Sequence, residues 1–316
     1  MSSSSVGSSV GIGSAPGPSA GQARQGRGAA GGSSGSQHAA SPALAALTAL
    51  AGHERVRQAE EAVRQASAEL RWHNALRRRW REARAETSIR EAVASAGVEG
   101  AVLPASVLRE HVASASLEEA VTGDPGLDAA AGRWRAGVRV TGWMPDLVGR
   151  GRPPLPTPRG LLTSVHRDVA GPLAAGGAIS VEEVAIPREG AGVRERLRGL
   201  EELIALPGAP ALVRAAVVHG EMVAARPFTA GNEAVGRILV RHLITVDGLE
   251  PTGTAVTEFY ASRDPGAYGE AAHAYASGSA QGVVAWVLWQ AEAILVGIEE
   301  ATALCRAIQA GTWRSG

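Results

Sequence analysis

The sequence contains no lysine. All 31 of its basic residues are arginine, and they balance 31 acidic ones. A neutral chain has no electrostatic footprint for nucleic acid or an anionic membrane, so neither is expected as a partner. Ile, Phe and Tyr are scarce against abundant Ala and Gly. That is the bias of a GC-rich genome and has no bearing on function. The single cysteine, Cys305, cannot close an internal disulfide and has no second thiol for a metal site. This fits a reducing compartment. The opening MSSSSVGSSVGIGSAPG has neither the basic start nor the apolar core of a secretory signal. The expected location is cytoplasmic. A bilayer span needs roughly 20 mostly apolar residues. The most apolar stretch, GVVAWVLWQAEAILVGI, is broken by Gln290 and Glu292 and reads as a buried helix.

What is present is helical patterning. Residues 1–41 are Ser, Gly, Ala and Gln with almost no large apolar side chain, so a disordered tail is expected there. Val56, Ala59, Val63, Ala66 and Leu70 then recur at spacings of 3 and 4, the seam of an amphipathic helix. The pattern predicts that this helix continues past Trp72, Leu76 and Trp80 toward Val93, with RRRWRE as a solvated face and Gly97 and Gly100 at its end. Residues 42–100 are thus an N-terminal helical segment, and 101–316 the main domain. Further helices are expected near ASVLREHVA, over 126–143 with Leu127, Trp134 and Val138 on one side, at LLTSVHRDVAGPL, and over 190–206, 209–225, 233–246, 265–277 and 281–310. GRGRPPLPTPRG reads as a rigid Pro-rich linker. AISVEEVAIP is a short hairpin strand or a loop. The fold class is mainly α, a helical bundle with at most a small β-hairpin or flap element.

Several catalytic signatures are absent. HRD at His166–Asp168 is kinase-like, but the Asn needed downstream is Leu173 and no Gly-rich loop or DFG accompanies it. His166 reads as a packed or half-exposed helix residue. There is no His-Glu-x-x-His zinc helix, no Gly-x-Ser-x-Gly elbow and no Walker loop.

One stretch stands out: ARPFTAGNEAVGRILVR, residues 225–241. A tight Gly-Asn turn runs into a helix, with Asn232 as a good N-cap residue. Backbone N–H groups at such a helix start suit an anion. The stretch resembles the signature of the Fic (Fido) family, His-Pro-Phe-x-Asp/Glu-Gly-Asn-Gly-Arg-x-Gly-Arg-Leu-Leu. Arg226, Pro227, Phe228, Ala230, Gly231, Asn232, Glu233, Ala234, Gly236, Arg237, Ile238 and Leu239 align without a gap. Upstream, SAGVEG is similar to the family's inhibitory pattern, with Ser95, Glu99 and Gly100 at its fixed positions. The resemblance spans about 85–310. It implies a Fic-like helical fold and a protein target. In the family, the His is the base for a target hydroxyl, the acid holds magnesium, and the Gly-Asn-Gly-Arg turn cradles ATP. The last Arg grips the terminal phosphate, and an inhibitory Glu pairs with that Arg. The usual reaction is AMP transfer to protein hydroxyls.

The departures remove chemistry. Arg226 at the His position has a pKa above about 12 and no acceptor nitrogen, so it is no general base. His219 lies two turns away, about 10 Å along the axis, and reads as structural. Ala230 replaces the metal-binding acid and Ala234 the first Arg, and Glu233 stands where a small Gly admits phosphate. ATP with magnesium is expected only if the site is alive. The possible nucleotide contacts left are Phe228, Gly231, Asn232, Gly236 and Arg237. Glu233 and Arg237 are also i and i+4 on a helix, a pair worth about 0.3–0.5 kcal/mol. Arg237 is then an ion-pair hub held by Glu99 or Glu233, a retained phosphate grip, or a surface residue. Three functions stay open: an impaired relative with a binding or regulatory role, an active nucleotidyl- or phosphoryl-transferase, and a ligand-free helical scaffold.

Overall fold

Four helices begin with proline at the first position, where the missing N–H costs nothing and the fixed φ suits the helix. They are α1 (Pro42–Ala51), α5 (Pro125–Gly142), α6 (Pro158–Ala175) and α11 (Pro265–Ala276). Asp124, Thr157 and Asp264 cap the last three through their side chains. The other helices are α2 (Glu54–Arg71), α3 (Asn74–Val98), α4 (Ala105–Ala113), α7 (Ala191–Ala205), α8 (Ala211–Ala225), α9 (Asn232–Val246), α10 (Glu258–Arg263) and α12 (Ala280–Ala310). The computed structural model describes residues 41–114, 121–149, 151 and 153–313. Among these there are twelve α-helices and no strand. The tail expected over 1–41 lies outside the described residues except for Ser41, whose carbonyl accepts from Ala45 N–H. Arg150 and Arg152 of the Pro-rich stretch also lie outside them.

The centre is the antiparallel pair α8 and α9. Leu212, Val213, Ala216, Val218 and Met222 of α8 and Val235, Leu239, Val240, Leu243 and Ile244 of α9 are all fully or almost fully buried where the two helices pack in the core. Gly236 makes the close approach possible, because a Cβ there would sit 2.5 Å from His219 Cδ2. Helix α12 crosses α2, α3, α8 and α11. It is long and apolar enough to cross a membrane by length and composition, yet half of its most apolar stretch is buried in the protein. Trp286, Val287, Ile294, Ile298 and Leu304 are core residues. Gln290 interrupts the run because its amide donates to His219 Nδ1 at 2.8 Å; Glu292 is exposed.

Three expectations need correction, and one open alternative is decided. The long first helix breaks at Trp72, which is 69 % exposed, and His73 restarts it by accepting from Ala75 N–H. RRRWRE is not all solvated: Trp80 is core, and Arg79 leaves helical geometry to bind Glu82 and the Ile308 carbonyl. Val138 is 45 % exposed and does not share the buried face of Leu127. AISVEEVAIP forms a 3-10 turn at Val181–Glu183, not a strand, since Ser180 N–H is held by Glu183 and Ala185 takes a positive φ of 63°. Helix α10 had no counterpart in the sequence pattern.

Candidate functional site

The loop between α8 and α9 is built from its own polar groups. Arg226 ends α8 in the left-handed region, φ 44°, which is uncommon without glycine. Gly231, at φ 72°, turns the chain into α9, and a Cβ there would meet Val169 at 3.0 Å. Asn232 does not act as the N-cap. It is the first helical residue, and its buried amide closes the loop instead. Its Oδ1 accepts from Phe228 N–H at 2.9 Å, and its Nδ2 donates to the Phe228 carbonyl at 2.8 Å. The start of α9 therefore has no side-chain cap.

His166 holds the loop from the other side. It is fully buried and stacks on Phe228, 3.9 Å between ring centres and 12° from parallel. Its Nδ1 accepts from Ala185 N–H at 2.9 Å, which leaves Nε2–H to donate to the Ala230 carbonyl at 3.1 Å. Burial pushes its pKa down to about 4, against the Ala230 bond. The neutral ring can serve one donor and one acceptor, and both roles are taken. The Val181–Arg188 segment is tied to the same loop: Arg188 N–H donates to the Pro227 carbonyl at 2.7 Å, and Thr229 donates to Glu183 at 2.9 Å.

The positions aligned with the family's base and acid hold neither group. Arg226 is exposed. Ala230 offers only a backbone oxygen, already bonded to His166. Among the described residues no three His, Cys, Asp or Glu side chains converge for a metal. Magnesium wants hard oxygen ligands from the protein, so these residues do not fit it. Ala234 is fully buried in the core. His219 is a buried packing residue between Gln290 and Tyr268, its pKa lowered to about 3 by burial first and Arg237 second.

Arg237 lies at the centre of the polar network. It is 3 % exposed. Its Nε donates to Glu258 at 2.9 Å and to Ser95 Oγ at 3.2 Å, and its Nη2 to Ser95 Oγ at 3.0 Å and to Glu99 at 2.8 Å. The i, i+4 pair with Glu233 is not formed; its ion pairs are with Glu99 and Glu258. Burial opposes the charge on Arg237, but Tyr268, Glu258 and Glu99 outweigh it and hold the guanidinium above its usual range. Glu99 also pairs with Arg133. Burial opposes its charge too, but Arg133 first and then Arg237 overcome that and pull its pKa down. The cavity beside Arg237 measures about 10 Å³, room for one water at most.

The chain end of α3 explains how Glu99 reaches this position. Gly100 takes φ +90°, its N–H bonds to the Gly97 carbonyl, and Ala101 N–H bonds to the Ala96 carbonyl. That is a Schellman closure. It leaves Glu99 at the C-cap, one turn beyond Ser95 on the same face. Sequence reasoning missed Glu258, Arg133 and Glu91, whose carboxylate accepts from Thr257 N–H at the residue before Glu258. The one available signal was that Glu258 is the only charge in PTGTAVTEFYAS, and a lone acid in such a run, once buried, needs a cation.

No family model and no curated protein matches the sequence. Solved structures do match. Fic-1 (aa134–508) from C. elegans is 18 % identical with a TM-score of 0.60, covering 79 % of this chain and 73 % of that one. A Fic family protein from Desulfovibrio desulfuricans is 15 % identical with a TM-score of 0.54, covering 84 % of this chain and 76 % of that one. The chain has the helical fold of the Fic proteins.

Proposed function

We propose that this Fic-fold chain is a catalytically impaired relative of protein AMP transferases that acts by binding or regulation, with Arg237 spent as an ion-pair hub. One observation carries the reading: the guanidinium is buried and engaged by Ser95, Glu99 and Glu258, with about 10 Å³ of space beside it. A terminal phosphate has no place there while Glu99 stays in. The lack of a base at Arg226 and of an acid at Ala230 supports the same conclusion. Protein partners in the cytoplasm fit the reading. A second reading, a surviving anion site, is favoured by the uncapped start of α9 in the same loop as exposed Arg226.

The test is calorimetric titration of ATP with magnesium into the intact chain and into Glu99→Gly, together with transfer of labelled adenylate to a lysate. The proposal expects no binding heat from either form and no labelled protein. Heat from Glu99→Gly alone would reveal a living pocket under inhibition and overturn the hub. Label that disappears in Asn232→Ala would overturn the loss of catalysis.

A further inference from the structure

Helix α3 has two working faces. Ser88, Glu91 and Ser95 point inward, with Glu99 following at the C-cap. Arg90, Val93, Ala94 and Gly97, spaced 3, 4 and 7 apart, point the other way and line a separate groove. Its remaining walls include Leu103, Val256 and Phe259, and its volume is about 520 Å³. That lies within the range of small-molecule pockets, about 300–1,000 Å³. We propose that this groove binds a small amphiphile: an apolar body with one carboxylate head that Arg90 receives. The site is independent of the Arg237 reading.

The head group follows from the charges present. Arg90 Nε donates to Glu86 Oε1 at 3.2 Å. Glu86 is already held by Arg109 through two bonds, 3.1 and 2.6 Å. Among the described residues neither terminal nitrogen of Arg90 makes a hydrogen bond; Nη1 stands 4.0 Å from Glu300 Oε2. An ion pair that long, with both side chains partly exposed, is weak. A ligand carboxylate can accept both terminal N–H groups of the guanidinium in the usual fork. Ser262, the other polar side chain in the wall, spends its hydroxyl proton on the Phe259 carbonyl, so it does not ask for an acceptor.

Gly97 provides the space. It lies inside α3, where glycine costs about 1 kcal/mol against alanine. Backbone geometry does not demand it, and a Cβ there would meet only Ser262 Cβ at 3.7 Å. Gly236, Gly282 and Gly297 are different, since a Cβ at each would clash at 2.8 Å or less. A larger side chain at 97 therefore fits the helix and fills the groove.

The probe is sodium octanoate, titrated calorimetrically into the full chain, with octanol as the uncharged control. Saturable binding is expected with a Kd on the order of 0.1–1 mM. Gly97→Leu should weaken it at least tenfold without lowering Tm. Arg90→Gln should weaken octanoate about tenfold and leave octanol unchanged. Glu300→Gln should tighten octanoate, because it removes the competing carboxylate. No saturable heat, or equal binding by the Gly97→Leu variant, would overturn the site. A dimer of the free chain that Gly97→Leu dissolves would also overturn it, making the groove a self-interface. Equal loss of octanol and octanoate in Arg90→Gln would overturn the carboxylate assignment.

Discussion

The two carboxylates on Arg237 should differ sharply in what they contribute. Glu258 and Arg237 are both 2 % exposed at their side chains, and 2.9 Å separates Oε2 from Nε. Removing one charge from a pair that dry strands the other, a cost of about 3–5 kcal/mol. Glu258→Gln keeps an acceptor oxygen for the guanidinium, so the lower end, about 3 kcal/mol, is the expectation. Glu99 is equally close, 2.8 Å, but its side chain is 40 % exposed. Water screens that pair, and exposed ion pairs are worth about 0–1 kcal/mol. Glu99 also holds Arg133, so Glu99→Gln is placed at about 1–2 kcal/mol. Thermal unfolding followed by tryptophan fluorescence reads both variants. At about 2.1 cal/mol/K of unfolding entropy per residue, a chain of 316 residues moves about 1.5–2 °C in Tm per kcal/mol. Glu258→Gln should therefore lose about 4–6 °C, and Glu99→Gln clearly less. Equal losses, or the reverse order, would refute the argument that burial decides the strength of each pair. So would a Glu258–Arg237 double-mutant cycle with coupling below about 0.5 kcal/mol.

Other outcomes follow from the same geometry. Asn232→Ala strands the buried N–H and carbonyl of Phe228 and should cost about 2–4 kcal/mol, with Asn232→Asp falling between it and the wild type; an unchanged urea midpoint would show that the loop closes without this clip. Gly236→Ala places a methyl 2.5 Å from His219 and should destabilise by about 1–3 kcal/mol, whereas Gly97→Ala should gain up to about 1 kcal/mol; the two must differ in sign. Burial first and then Glu258 lift Glu91 to about 8 from 4.5, so the folded chain holds a proton that the unfolded chain releases. Stability from this group is present below about 4.5 and is lost as pH rises toward about 8, at no more than about 1.4 kcal/mol per unit. Glu91→Gln should flatten that fall, and parallel melting profiles for variant and wild type would refute it.

Local rules were legible in the sequence, and tertiary pairings were not. Helix starts at Pro125, Pro158 and Pro265 follow from capping chemistry within a few residues. The apolar spacing of α8, α9 and α12 gave their positions because each buries a broad stripe. The kink at Arg79 was hidden, since it depends on a contact from far along the chain, the Ile308 carbonyl; the break at Trp72 is local, with His73 capping the next helix, and the continuous apolar spacing masks it. Helix α10 is six residues long, too short to show a period.

Arg237 shows why a local rule misleads at the site. The i, i+4 spacing to Glu233 offers about 0.3–0.5 kcal/mol on an exposed helix face. A buried guanidinium needs several acceptors, and one half-buried neighbour cannot provide them. Glu258 and Ser95 are both buried and already in line with Nε, so the side chain turns inward, where the desolvation it has already suffered is offset. The pair suggested by sequence spacing is therefore not the one that forms. For the same reason Asn232 binds Phe228 rather than capping α9: two buried backbone groups of a tight loop outweigh one N–H that the helix start can leave uncapped. In both cases the deciding quantity was burial, which spacing along the chain does not encode.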